Sequence, residues 1–395
     1  LWTWLAKWEE KSGGKVLAIP HNGNLSNGWM FAENKYDGSP LTADWAATRA
    51  RWEPVVEIFQ YKGSSEAHPA LSPSDEFAGY ELWDSGDLNG NAKKPEDLKT
   101  EYAREALKRG MVLEEKFGAN PFKFGMVSGS DTHTGLATGG EENNFWGKFI
   151  STQPQKGRWD ITFKKEEKYL RKNWTFAAQG LTGVWARENT RGEIWDSLKR
   201  KEVYASTGPR ISLRFFAGYD FDKADTTGDV ATIGYAKGVP MGGDLAKAPV
   251  GKVPTFLIAA LKDPEGANLD RVQVVKGWVD AKGETHEKIF DVMWSGDRKP
   301  DASGKLPPVG NTVDVKTARY TNAIGAGQFV GIFTDPDFDA TQKAFYYARV
   351  IEIPTPRWTD YDVANYKDNI PNPIPLVIQE RAVSSPVWYT PEAKS

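Results

Sequence analysis

The chain has 395 residues, 39% of them hydrophobic and 26% charged, with a formal net charge of −3. That balance leaves no electrostatic footprint for nucleic acid or an anionic membrane. No apolar run nears the length of a membrane span, Pro254–Leu261 being among the longest. Zero cysteines exclude disulfides, thiolate ligands and a cysteine nucleophile. The length allows two domains of ordinary size. The first residue is Leu1, with no basic segment and cleavage site behind it, so position 1 is not expected to be a translation start.

Leu1–Lys11 reads as a helix, with Trp4, Leu5 and Trp8 at helical spacing and Gly13-Gly14 as its stop. Val16–Ile19 reads as a short buried strand. His21, in Pro20-His21-Asn22-Gly23-Asn24, then lies just past the strand's C-terminal end, the edge on which α/β folds build sites. Asn22–Asn34 is a polar, Gly-rich loop, and a helix with Thr42 as N-cap follows to Arg51. Val55–Phe59 is the next strand. Glu57 lies inside its apolar run and must face a partner or a site, because burying an unpaired carboxylate is costly. The loop Gln60–Glu66 offers hydroxyls, backbone N–H groups and the Lys62 ammonium, a set suited to an anionic group. His68, beside Pro69, reads as a surface residue, or at best one that supports a site residue from behind.

Pro95–Phe117 is the clearest helix, closed by Gly118. A second strand follows and turns polar at Ser128-Gly129-Ser130-Asp131-Thr132-His133. If the chain is still extended there, Asp131 and His133 leave the same face. A carboxylate and an imidazole at a strand's C-terminal end are a start on a divalent metal site. The plainer alternative makes Asp131 a helix N-cap and His133 a solvated side chain. Strand–helix–strand alternation of this kind is the pattern of a parallel sheet or barrel.

Gly139–Arg158 is a long loop, either a lid or a surface excursion. Asn189 or Thr190 caps a helix running to about Lys201, and Val203–Ile211 is extended. Arg187, Arg191 and Arg210 are cations near a presumed anionic site, with surface salt bridges as their default role. After Ser212 helical periodicity fades. Phe256–Leu261, Val272–Val279, Lys288–Trp294, Thr312–Val315, Phe329–Phe333 and Ala344–Ile353 read as strands between Gly, Pro and Asp turns. Residues 212–395 are therefore expected to form an all-β, sandwich-like domain with an extended tail.

Several runs resemble one family across the chain: Leu17–Asn24, Gly63–Glu66, Gly129–Gly135, Gly183–Arg191, Tyr204–Ile211 and Ala348–Trp358. The chain resembles the DUF3604 family, relatives of the PHP (polymerase and histidinol phosphatase) superfamily of metal-dependent phosphoesterases. The resemblance implies a distorted β/α barrel with divalent ions at the strand C-termini, of which residues 1–211 would be the C-terminal part. His21 matches a late barrel motif, and Asp131 with His133 the last one. The family's first motif, H-x-H, and the ligands that follow it have no counterpart here. A barrel of this type takes roughly 200–250 residues, so N-terminal strands are expected to be missing and to be a partner of this chain.

The function expected from these residues is a metal-dependent hydrolase, phosphoesterase-like, acting on a small-molecule substrate through metal-activated water. His21, Asp131 and His133 would hold the metal, one or more divalent ions of zinc, manganese or iron. Glu57, Lys62 and Arg210 would assist catalysis, and Asn24, Ser64, Ser65, Glu66, Arg187 and Arg191 would bind substrate. A hydrolase of non-phosphate bonds uses the same chemistry. The alternative from another class is a non-catalytic binding or scaffold protein whose β-domain recognises a saccharide or a protein. Relatives often carry export signals, which favours a periplasmic or secreted location.

Overall fold

The computed structural model describes residues 1–136, 140–147, 152–165, 169–302 and 304–391. Helix α1 (Trp2–Ser12) ends at Gly13, whose φ of 65° is the left-handed C-cap expected there. Helix α2 (Ala43–Trp52) starts where Thr42 accepts a hydrogen bond from the Trp45 N–H. Strands β1 (Val55–Gln60), β2 (Gly63–Ser64) and β3 (Gly125–Ser128) form a three-stranded sheet with β1 in the middle. β1 and β3 run parallel, pairing Val55 with Gly125 and Glu57 with Val127, and the register shifts before Phe59 meets Ser128. A parallel pair needs a long crossover, and the intervening chain supplies it with helix α3 (Ala103–Phe117).

Two local expectations are corrected. Val16–Ile19 is not a ladder strand. It is held by isolated bonds, Ala18 N–H to Trp52 O at the end of α2 at 2.8 Å and, just past it, the β1 Glu57 N–H to Pro20 O at 3.0 Å. The predicted 95–117 helix is split into a 3-10 turn (Pro95–Thr100) and α3, because Tyr102 is extended. The Ala103 and Arg104 N–H groups then bond the carbonyls of Ser65 and Glu66 at 2.8 and 3.0 Å. These start-of-helix donors have no partner within the helix itself, and here they fasten the Gln60–Glu66 loop.

Eight strands form the largest sheet. Asp244–Leu245, β13 (Val387–Tyr389), β11 (Ala344–Glu352), β12 (Arg381–Ser384), β5 (Val203–Ser206) and β4 (Leu181–Val184) follow one another across it. The long hairpin of β8 (Leu269–Val279) and β9 (Thr285–Trp294) joins it through β8 and β11. Residues on either side of position 211 therefore share one sheet, with Val383 of β12 facing Ala205 of β5. A second sheet joins β10 (Gln328–Thr334), β7 (Thr255–Leu261) and β6 (Ser212–Gly218) to Gly238–Pro240. Phe215, Phe256 and Ile258 from it pack with Val272, Val274, Tyr346 and Val350 of the larger sheet in one core. That is the burial expected where two sheets face each other.

The β-rich second part is thus present, but it is not all-β. Helices α5 (Val230–Lys237) and α6 (Trp358–Tyr366) interrupt it. Neither has a one-sided apolar stripe, the signal by which a surface helix is read from sequence. Thr312–Val315 makes only a single bridge, Asp314 to Arg319. Among the described residues the strands close no barrel; the architecture is mixed α/β with several open sheets.

Candidate functional site

β1 and β3 end side by side, and the polar residues beyond them meet. Asp131 has a left-handed backbone, φ 53°, a conformation that costs a non-glycine residue energy and clusters at functional loops. It aims the carboxylate back toward β1. Asp131 Oδ2 is ion-paired with the Lys62 ammonium and accepts a hydrogen bond from Gln60 Nε2 at 3.2 Å. The His133 ring approaches Oδ1, with Nε2 at 3.3 Å. Gln60 Oε1 also accepts the Lys62 backbone N–H at 2.7 Å, so one amide holds the Asp131 carboxylate and the main chain that carries Lys62. Lys62 is buried, Asp131 half-buried and His133 exposed.

Glu57 faces the same strand ends. A Cβ built on Gly129 would stand 2.8 Å from Glu57 Oε1, so any larger residue at 129 would make the carboxylate shift. Thr132 Oγ1 donates to Gly147 O at 3.1 Å and lies 2.9 Å from Thr134 Oγ1, which ties the Asp131–Gly135 turn to the following loop. His21 is exposed beside buried Asn22, whose Nδ2 is 2.7 Å from the imidazole Nδ1.

His21, Asp131 and His133 do not bring ligand atoms within 4.8 Å of one another. Among the described residues, the group that does so is Asp280, Glu284 and His286. Those residues form the β8–β9 turn. There Asp280 Oδ1 already accepts the Lys282 and Glu284 N–H groups, and Oδ2 is 2.8 Å from His286 Nε2. The turn's own geometry accounts for that group.

The residues expected to bind substrate fall into two sets. Asn24, Ser64, Ser65 and Glu66 are buried and support the Lys62 loop from beneath. Asn24 Nδ2 donates to Lys62 O at 3.0 Å and to Trp83 O at 3.2 Å, Ser65 Oγ donates to Asn24 Oδ1 at 2.9 Å, and Ser64 Oγ accepts the Glu66 N–H at 3.2 Å. Glu66 Oε1 is bound by Arg104 at 2.8 Å, Arg349 at 3.2 Å and the Tyr347 hydroxyl at 2.8 Å. Asp75 bridges the same arginines at 2.8 and 2.6 Å. Burial would raise both carboxyl groups, but Arg349 and Arg104 outweigh it and hold them below the ordinary range. Glu66 is thus a brace between the β1–α3 region and β11.

The arginines lie elsewhere. Arg210 is exposed and pairs with Asp263 at 3.2 Å and Glu265 at 2.9 Å. Arg187 lines a groove with Trp185, Arg200, Arg214 and Tyr235. Arg191 opens helix α4 (Arg191–Arg200), capped as expected by Thr190. His68 is a correction: it is buried, with Nε2 2.9 Å from Asp84 Oδ2. The expected lid at 139–158 lies partly outside the described residues; within it Phe145 is buried and stacks on Tyr61.

Gln60 and Asn22 carry the orienting contacts and were not singled out by the sequence. Gln60 had a signal, a polar side chain ending an apolar strand. Asn22 had none beyond its place next to His21.

The family model described as "Protein of unknown function (DUF3604)" matches residues 1–391. No curated protein and no solved structure matches the chain. On the strength of that near-complete match, the chain belongs to the DUF3604 family.

Proposed function

We propose that this protein is a metal-assisted hydrolase, acting on phosphate esters or related small anionic esters, with the Asp131 cluster as its centre. In this reading the β1–α3–β3 unit is part of a PHP-like β/α barrel. The observation that carries it is the convergence of an ammonium, an amide and an imidazole on one carboxylate, carried by a residue with a left-handed backbone. Charged groups gathered at strand C-termini are a recurrent mark of catalytic sites in α/β folds.

The donors are of the types a divalent ion takes. Asp131 and His133 supply oxygen and nitrogen, Glu57 adds a second carboxylate at the same edge, and Lys62 already occupies the anionic position with positive charge. Full three-ligand binding with His21 requires its imidazole to move toward the pair. A bound zinc, manganese or iron ion would supply hydroxide near neutral pH and neutralise substrate charge. Lys62 is placed to pass its charge from Asp131 to a substrate oxygen. Gln60 holds the carboxylate in orientation, and Glu57 stands within reach of the same ends as a proton acceptor.

The scaffold alternative has less support. In the β-rich part, Phe215 and Phe333 stack on the buried Phe256 and Tyr346 tilts against it, so these rings are spent on the core rather than on an open face. A panel of phosphomonoesters, phosphodiesters and carboxylic esters, assayed with each metal, tests the hydrolase reading. Turnover in the wild type that disappears in Asp131→Asn supports it, and equal turnover in both removes these residues from the chemistry.

A further inference from the structure

A cavity of about 290 Å³ opens where the 140–143 segment meets Gly208–Arg210 and the C-terminal end of β11. Six carboxylates line it, those of Glu141, Glu142, Asp263, Glu265, Glu352 and Glu380, against one guanidinium, Arg210. Arg210 is spent on Asp263 and Glu265. Glu352 and Glu380 are 1% and 3% exposed, and each has an Oε1 shielded from solvent with no hydrogen-bond partner; Glu142 Oε1 is in the same condition.

The other oxygens show what the protein itself provides. Glu380 Oε2 takes the Tyr80 hydroxyl at 2.9 Å and the Thr207 hydroxyl. Glu142 Oε2 takes the Trp358 N–H at 2.5 Å. The nearby Arg357 guanidinium is engaged elsewhere through Nε and Nη2, which bond Glu81 at 2.7 and 2.9 Å. Lys262, the other cation close to Glu352, is bound by the carbonyls of Asp263 and Gly266 at 2.9 Å each. A shielded carboxylate oxygen without a partner is expensive, and native structures rarely leave three such oxygens around one space.

We propose that this cavity binds a hydrated divalent cation of the calcium type, at a site separate from Asp131. All the side-chain donors are oxygens, with Tyr320 and Tyr361 beside the carboxylates and no imidazole or thiol in the lining. Such a set selects a hard ion over zinc or copper. The carboxylate oxygens are not gathered within 4.8 Å of one another, so the ion keeps water between itself and some of them. The cavity has room for several waters at about 30 Å³ each. As support, burial and then mutual repulsion raise the Glu142 and Glu352 carboxyl groups above the ordinary range. A cation held here would fasten the 140–143 segment to β11 and to the segment before β12.

Terbium, a luminescent stand-in for calcium, tests this on the whole protein. Exciting the aromatic residues should give terbium emission that calcium displaces, and calcium should raise Tm. Glu352→Gln and Glu380→Gln should each weaken calcium binding at least tenfold, while Asp131→Asn binds as the wild type. Circular dichroism checks that the glutamine variants fold. If they do not, the wild type and Asp131→Asn decide alone. Absence of both emission and a Tm change at about 10 mM calcium, above the weakest protein calcium sites, overturns the proposal. So does unchanged binding in both folded glutamine variants, or loss of the signal in Asp131→Asn.

Discussion

The Lys62 ammonium rests on the Asp131 carboxylate, and Gln60 bonds both that carboxylate and the Lys62 backbone N–H. A cation seated on the expected metal ligand means that ammonium and metal compete for one carboxylate. Lys62→Met should therefore tighten divalent-metal binding while it lowers kcat/KM by about 10²–10³, the usual loss for a removed charge-stabilising donor. Calorimetric metal titration alongside ester hydrolysis separates the two effects. A parallel fall in both would mean that Lys62 supports the site instead of competing for it.

Gly180 packs against the ends of both parallel strands. A Cβ there would stand 1.9 Å from Ser128 Oγ, 3.0 Å from Phe59 O and 3.1 Å from Gly129 N. The hydroxyl can rotate away, but the two backbone atoms cannot. Gly180→Ala should cost about 1–3 kcal/mol in urea denaturation and displace the turn that carries Asp131. Gly192, in α4, has nothing within 4 Å of its would-be Cβ. Gly192→Ala should stabilise by up to about 1 kcal/mol, and a loss of stability there would contradict the packing described.

The Glu66–Asp75–Arg104–Arg349 cluster joins the β1–α3 region to β11 in full burial. Removing one member strands the others, so Arg349→Met should destabilise by about 3–5 kcal/mol. Glu66 and Asp75 have depressed folded-state pKa values. Their stabilisation is complete above the unfolded values near 4 and is lost as pH falls through the lower folded values. Urea midpoints should fall as pH drops below about 4, and the fall should be shallower in Arg349→Met. An identical pH profile in both proteins would show that the cluster does not set acid stability.

Local rules made much of this chain legible. Thr42 and Thr190 are caps, Gly13 and Gly118 are left-handed stops, and β1, β3, β7 and β11 lie within a residue or two of where apolar runs place them. Thr42→Ala should cost about 1 kcal/mol, read from thermal unfolding; no change would mean the Trp45 N–H finds water instead. Long-range partners were not legible. Nothing local in Leu181–Val184 announces that it ends the sheet containing β11, and nothing in Glu66 announces Arg349, 283 residues away. At the site, spacing drew attention to Asp131 and His133. Lys62 on Asp131 depends on a left-handed turn that an aspartate does not advertise.

Metal-dependent ester hydrolysis by the wild type and by Asp131→Asn, each assayed after chelation and after reloading with manganese, zinc or iron, tests the central proposal most directly. The wild type should lose activity on chelation and regain it on reloading, and Asp131→Asn should stay at least about 100-fold lower under every condition. Equal activity of the two proteins, or hydrolysis by the wild type that ignores chelation, would contradict a metal-assisted centre at Asp131.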